Sequence, residues 1–149
     1  MESDDPRFRK LVAELDAFLA AFDGSDHAMY SGFNKVDSVK GAVVALLDNE
    51  PVGCGAFRQF EGGLGEVKRM YVLPRLRGRG VARAVLAEIE AWARELGIER
   101  LQLETGAELA GARKLYEGSG YEYIPNYEPY VGLDRSVCLA KNITNQYPA

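Results

Sequence analysis

The chain has 149 residues, a formal net charge of -4, 47% hydrophobic and 27% charged side chains. This composition fits one soluble globular domain with enough chain to bury a core, and it argues against disorder. No apolar run approaches the roughly 20 residues of a membrane-spanning helix, and an acidic chain is a poor general binder of nucleic acid. The single histidine, His27, excludes a two-histidine metal site, so no metal is expected. Cys54 and Cys138 lie 84 residues apart and give neither metal-ligand spacing nor a disulfide framework. Thiols this sparse predict a reducing cytoplasm. The acidic start, Met1-Glu2-Ser3-Asp4-Asp5, has no apolar stretch behind it and predicts no secretory signal.

The elements follow in chain order. Asp5-Pro6 reads as an N-cap with proline at the first helical position, and Phe8, Leu11, Val12, Leu15, Phe18, Leu19 and Phe22 recur at helical spacing to Asp23-Gly24. Residues 25–40 are polar and irregular, and include Tyr30, Asn34 and Asp37. A strand from Ala42 to Leu47, the turn Asp48–Pro51, a strand from Val52 to Phe60, a turn over Glu61–Gly65 and a strand from Glu66 to Leu73 make a meander. Pro74 ends it, because proline has no N–H for a ladder. After a loop from Arg75 to Gly80, Val81, Val85, Ile89, Trp92 and Leu96 form a helix face that Gly97 closes. A strand from Ile98 to Glu104, a helix from Glu108 to Glu117, and strands Tyr121–Ile124 and Val131–Lys141 complete a mixed sheet covered by helices. A turn-rich loop, Pro125–Pro129, separates the last two strands, and 142–149 read as a tail. There is no internal repeat, and no composition shift divides the chain.

The chemistry concentrates where the third strand hands over to the long helix. Residues 67–87 carry six basic side chains (Lys68, Arg69, Arg75, Arg77, Arg79, Arg83) and no acidic one. A helix N-terminus presents unpaired N–H groups and partial positive charge, and glycines at 78 and 80 let a bulky anion reach the backbone. These features describe a phosphate cradle. It is not a dinucleotide fingerprint, because the third glycine position is Arg83, and it lacks the Gly-Lys-Ser/Thr of a P-loop. A solvated basic loop is the bland alternative.

Arg75-x-x-Gly78-x-Gly80, behind Tyr71-Val72-x-Pro74, resembles motif A of the GNAT superfamily of acyl-CoA-dependent N-acyltransferases. Ala112-x-x-Leu115-Tyr116-Glu117-x-x-Gly120-Tyr121 resembles that superfamily's Ala-x-x-Leu-Tyr-x-x-x-Gly-Phe segment, and it comes in the right order. Glu66-Val67-Lys68-Arg69-Met70-Tyr71-Val72, with Ile124-Pro125-Asn126-Tyr127 and Ser136-Val137-Cys138, is similar to one bacterial subgroup of small members. The resemblance implies a mixed α/β fold with a central, mostly antiparallel sheet of splayed strands flanked by helices. It implies one domain over 1–149, with an N-terminal helix at 6–22 and a strand meander at 42–73. The cofactor loop and helix would occupy 74–97, the acceptor-side half 98–141 and the tail 142–149.

The resemblance also implies roles. The amides from Arg77 to Ala82, including those of Gly78, Arg79, Gly80 and Val81, would hold the pyrophosphate of acetyl-CoA, with charge added by Arg75, Arg77 and Arg79. The backbone of Met70, Tyr71 and Val72 would pair with the pantetheine arm, and the N–H of Val72 or Tyr71 would stabilise the oxyanion. Tyr116 matches the tyrosine beside the thioester sulfur. Many members carry a glutamate where this chain has Lys68. Strand alternation puts Glu66, Lys68, Met70 and Val72 on one face, which makes Glu66 the candidate base, with Glu104 or a water as alternatives. Leu109 stands where members often have asparagine. Tyr30, Asn34, Lys68, Glu104, Asn126 and Tyr127 are the candidate contacts to a small-molecule amine, and Lys68 and Arg69 favour an acceptor carrying an anionic group. No nucleic acid and no membrane is expected as partner; a homodimer is a family habit that nothing here forces. The implied activity is N-acetyl transfer from acetyl-CoA to a primary amine. The alternative, prompted by Lys68, is a non-catalytic acetyl-CoA sensor.

Overall fold

The computed structural model describes residues 6–10, 13 and 40–144. Residues 6–10 are helical, with Phe8 fully buried; the rest of the expected N-terminal helix, with His27, Tyr30, Asn34 and Asp37, lies outside the described residues. The elements are β1 (Gly41–Leu47), β2 (Glu50–Gln59), β3 (Leu64–Val72), α1 (Val81–Glu95), β4 (Arg100–Gly106), α2 (Ala110–Gly118), β5 (Glu122–Ile124) and β6 (Ser136–Asn142). Short 3-10 turns sit at Glu61–Gly63 and Pro74–Leu76. The six strands hydrogen-bond in the order β1-β2-β3-β4-β6-β5, which is a mixed α/β architecture. Among the described residues, no helix is long and apolar enough to cross a membrane, and no three His, Cys, Asp or Glu side chains converge as a metal site.

Contacts gather the chain into two compact units, Met1–Arg58 with Lys68–Ile89, and Gln59–Val67 with Glu90–Ala149. In the first unit β1 and β2 form an antiparallel hairpin from Gly41↔Phe57 to Leu47↔Glu50. Its two turn residues, Asp48 and Asn49, both have positive φ (52° and 66°), the geometry that matches strand twist in a two-residue hairpin. Val52, Val72 and Leu76 form a buried cluster on which Ala45, Leu73, Val81 and Ala82 pack. Cys54 is buried at the centre of β2 and its thiol reaches the Arg69 carbonyl at 3.4 Å.

In the second unit β4 pairs antiparallel with β6 along its whole length, and β5 caps the edge of β6. The parallel ladder of β3 with β4 comprises Leu64↔Arg100, Gly65↔Leu101 and Glu66↔Gln102. Leu101, Leu103 and Leu139 are buried, with Ala93 and Ile98. Glu90 is a buried carboxylate on α1; it accepts from Lys141 Nζ and the Tyr121 hydroxyl, each at 2.9 Å, and Arg94 approaches to 3.7 Å.

Two expectations need correction. The last strand starts at Ser136, not Val131. Residues before it turn instead: Tyr130 N–H donates to Tyr127 O, Leu133 N–H to Tyr130 O and Ser136 N–H to Leu133 O. Arg69 takes a left-handed conformation within β3 (φ 59°). The two-residue count that groups Glu66 and Lys68 with Met70 and Val72 therefore does not run through the strand.

Candidate functional site

The basic loop belongs to the first unit. Pro74 turns the chain off β3, and Leu76 anchors the loop from below in the Val52–Val72 cluster. The amides of Leu76 and Arg77 are engaged, donating to Leu73 O and Pro74 O. Arg77 Nε donates to Val72 O at 2.9 Å and its guanidinium lies 5.4 Å from the Tyr71 ring centroid, so this arginine braces the end of β3. Gly78 and Gly80 follow with φ of 80° and 84°, a region that side chains disfavour. A Cβ at either would meet no atom within 4 Å: the ground above both is open. Gly80 then caps α1. Its carbonyl accepts the first helical bond, from Ala84 N–H at 3.0 Å. The amides of Val81, Ala82 and Arg83 precede that bond and have no acceptor within the helix. Arg75 and Arg79 are exposed beside them. An open backbone, helix amides without helical acceptors and two exposed cations fit a phosphate anion. Met70, Tyr71 and Val72 end β3 just before this loop, and Lys68 and Arg69 are buried earlier in the strand.

The candidate acid–base groups belong to the second unit. Glu66 is 3% exposed and its Oε2 accepts from the Tyr127 hydroxyl at 2.8 Å. Glu104 Oε2 accepts from the Ser136 hydroxyl at 2.7 Å. Cys138 stands directly opposite Glu104 in the β4–β6 ladder, is buried, and receives the backbone N–H of Tyr127. Burial pushes its thiol up. Tyr116, on α2, is buried; burial first, and then the charge of Glu104, push its phenol up, so it remains a donor. No hydrogen bond from the Tyr116 hydroxyl is found among the described residues. Its ring packs edge-on against Tyr121, 5.9 Å between centroids. Leu109 caps α2 without a side-chain hydrogen bond.

Asn126 plays a part that its sequence position does not announce. Its Nδ2 donates to the carbonyls of Ser136 (3.0 Å), Tyr130 (3.2 Å) and Leu133 (3.4 Å), pinning the whole turn between β5 and β6. The structure thus brings Glu66, Tyr127, Glu104 and Ser136 into two hydroxyl–carboxylate pairs in one unit, and gathers Met70 to Ala82 in the other. Tyr30 and Asn34 lie outside the described residues. Sequence reading missed Ser136 as a partner of Glu104, and the two glycines of β2, Gly53 and Gly55. These two sit two residues apart in a strand, a spacing that signals close approach on one face. A Cβ at Gly53 would come within 2.7 Å of Val81.

A model of the Acetyltransferase (GNAT) family matches residues 7–121. The IAA acetyltransferase of Azospirillum brasilense is 43% identical over 89 residues, 59% of this chain, and the chain spans 58% of that relative's length. A solved acyl-CoA N-acyltransferase structure from Klebsiella pneumoniae superposes with a TM-score of 0.79 at 33% identity, covering 96% of this chain and 94% of that one. A GNAT family acetyltransferase from Elizabethkingia anophelis with acetyl-CoA bound shares the fold, with a TM-score of 0.59 at 18% identity over 68% of this chain and 74% of that one.

Proposed function

The chain belongs to the acetyltransferase (GNAT) family, and from that premise we propose that it transfers an acetyl group from acetyl-CoA to a primary amine of a small molecule, by direct attack with both reactants held at once. The opening of α1 carries this reading: positive-φ Gly78 and Gly80 under open space, then helix amides without helical acceptors. When bound, acetyl-CoA supplies the thioester; the remaining work falls to this chain.

The amides from Gly78 to Ala82 hold the pyrophosphate, and Arg75 and Arg79 add charge. Arg77, committed to Val72 O, keeps the end of β3 in place. The backbone of Met70–Val72 lies past the last β3–β4 pair, Glu66↔Gln102, which favours its use by the pantetheine arm and the oxyanion. Tyr116 donates to the departing sulfur. An ordinary phenol near 10 is already about 2 kcal/mol short of protonating a thiolate near 8.5. Tyr116 is pushed higher still, so it serves as a hydrogen-bond donor more than as a full acid. Glu66 takes the proton of the amine, a useful service because only about 1 in 2,500 alkyl amines is neutral at pH 7. Lys68, a buried cation on β3, suits an acceptor that carries an anionic group. Two buried cysteines that form no disulfide go with a cytoplasmic setting.

Calorimetry with acetyl-CoA on wild type, Gly78→Glu and Arg79→Glu tests the cradle. Binding by wild type that both variants weaken at least tenfold, with melting temperatures showing them folded, is expected; binding unchanged in Arg79→Glu and Gly78→Glu removes the cradle. Thiol release from acetyl-CoA across a panel of primary amines tests the chemistry. Turnover that Tyr116→Phe lowers while binding persists supports the transferase, and binding without turnover on any amine returns the sensor reading.

A further inference from the structure

We propose that Tyr127 is the positioning residue for Glu66, its hydroxyl fixing the carboxylate and the Asn126-pinned turn fixing the hydroxyl. This rests on the assignment of Glu66 as proton acceptor made above.

The geometry is a chain of fixed points. The turn between β5 and β6 would be free to drift on length alone, but Asn126 Nδ2 ties three of its carbonyls to one side chain. Tyr127, the next residue, has its backbone N–H on Cys138 Sγ, its ring edge-on to buried Tyr130 at 5.6 Å, and its hydroxyl on Glu66 at 2.8 Å. Backbone, ring and hydroxyl are therefore each held by a different partner. A phenol so placed has little freedom to turn toward an acceptor, which distinguishes it from a substrate contact. Burial, then the charge of Glu66, push the Tyr127 phenol up, so it donates at every working pH. The Glu66 carboxylate needs such a donor because it is 3% exposed and has lost most of its water. The Tyr127 hydroxyl and the Cys138 thiol are among the titratable groups that act on Glu66, and Glu104 acts on that thiol from β4.

A charge-assisted hydrogen bond holds a carboxylate oxygen in one place. Removing it in Tyr127→Phe keeps the ring against Tyr130 and takes away only the donor. The direct readout is the side-chain carboxyl carbon of Glu66, its NMR resonance recorded at one neutral pH in protein labelled at glutamate and assigned by its loss in Glu66→Gln. In Tyr127→Phe this resonance shifts and broadens as the carboxylate loses its fixed donor, and in Asn126→Ala, which frees the turn, it changes by a smaller amount. Acetyl-CoA affinity stays within twofold in both. A Tyr127→Phe resonance equal in position and width to that of wild type, whatever happens to its melting temperature, overturns the proposal and leaves Tyr127 a packing residue. Turnover on the best amine of the panel separates the two readings. If Glu66→Gln turns over at the wild-type rate, the base assignment falls, and the role of Tyr127 in catalysis falls with it, even with the resonance shifted. If Glu66→Gln is inactive and Tyr127→Phe keeps the wild-type kcat and KM, the base assignment stands and the positioning role alone is lost.

Discussion

A single methyl group added to β2 is expected to separate the cradle from the rest of the fold. A Cβ at Gly53 would stand 2.7 Å from Val81 Cγ1 and 3.3 Å from both Tyr71 O and Val72 Cγ2. Ordinary contact begins near 3.4 Å, so Val81 must withdraw by about 0.7 Å for its methyl to regain a normal separation. Val81 is the first residue of α1, and a β-branched side chain in a helix has one strongly preferred rotamer. The movement therefore passes to the backbone, and so to the amides of Val81 and Ala82. Overpacking of this kind costs about 1–3 kcal/mol. The φ of Gly53 is not left-handed, so alanine recovers about 0.4–1 kcal/mol from the unfolded chain. Gly53→Ala should then lose about 1–2 kcal/mol, a fall in Tm of about 3–6 °C for a chain this long, and about tenfold in acetyl-CoA affinity as the amides shift. Gly55→Ala is the control. Its Cβ would meet Met70 Sδ, and Val85 Cγ1 and Ile89 Cδ1 at 2.8 Å each, one and two turns further along α1. Met70 can swing away, but Val85 and Ile89 are as fixed as Val81, so the loss of stability should be at least as large; the displaced backbone lies beyond the first turn of α1, and affinity should hold within twofold. Calorimetric titration and thermal melts on the two variants give the comparison. Equal loss of affinity in both would mean general loosening, and unchanged affinity in Gly53→Ala would mean that this contact does not set the cradle.

Two further outcomes concern the second unit. Tyr116, Tyr121 and Tyr127 are each pushed up, first by burial and then by the charge of Glu104, Glu90 and Glu66 respectively. A raised folded-state value means that their stabilisation is complete below the ordinary phenol value near 10 and is lost as pH rises beyond it. Melting temperature should therefore fall steeply from pH 10 upward, less steeply in Tyr121→Phe, and at least three of the eight tyrosines should stay un-ionised by absorbance until the chain unfolds; a smooth titration of all eight in the folded state contradicts this. In the Glu90 network, Glu90→Ala leaves Lys141 and the Tyr121 hydroxyl without their acceptor and should cost about 3 kcal/mol in urea unfolding. Lys141→Ala should cost about half as much, because Tyr121 and Arg94 remain on the carboxylate; a neutral Glu90→Ala refutes the account.

The elements that were legible in the sequence are those whose signal is local. Val81, Val85 and Ile89 at helical spacing, Asp48-Asn49 between two apolar runs, and Pro74 after a strand each fix a piece of backbone without reference to distant residues. Arg69 shows the limit of such signals. Positive φ is written in the sequence when glycine or asparagine carries it; arginine gives no such sign, so the two-residue alternation read across β3 has no warning of the break at 69. Val131–Arg135 is the other case. Its composition tolerates an extended strand, and what overrules that is one side chain, Asn126, with three carbonyl partners up to ten residues away.

The same distinction divides the candidate site. The cradle is contiguous: β3 end, two glycines and helix start fall within residues 70–84, so residue types and spacing suffice to describe it. Even there charge alone misleads in one respect, since Arg77 counts as a phosphate cation in sequence but gives its Nε to Val72 O. The candidate acid–base groups are discontiguous. Glu66 meets Tyr127 across 61 residues and Glu104 meets Ser136 across 32, and these meetings depend on the β4–β6 register and on the turn that precedes β6. A shift of one residue in that register would send Cys138 to the opposite face from Glu104 and carry Ser136 with it. Each hydroxyl was visible as a residue; its carboxylate partner became visible only with the ladder. For this reason the donor side of the reaction can be argued from a short stretch of chain, while the acceptor side has to be argued from Glu66, Glu104 and the hydroxyls that hold them.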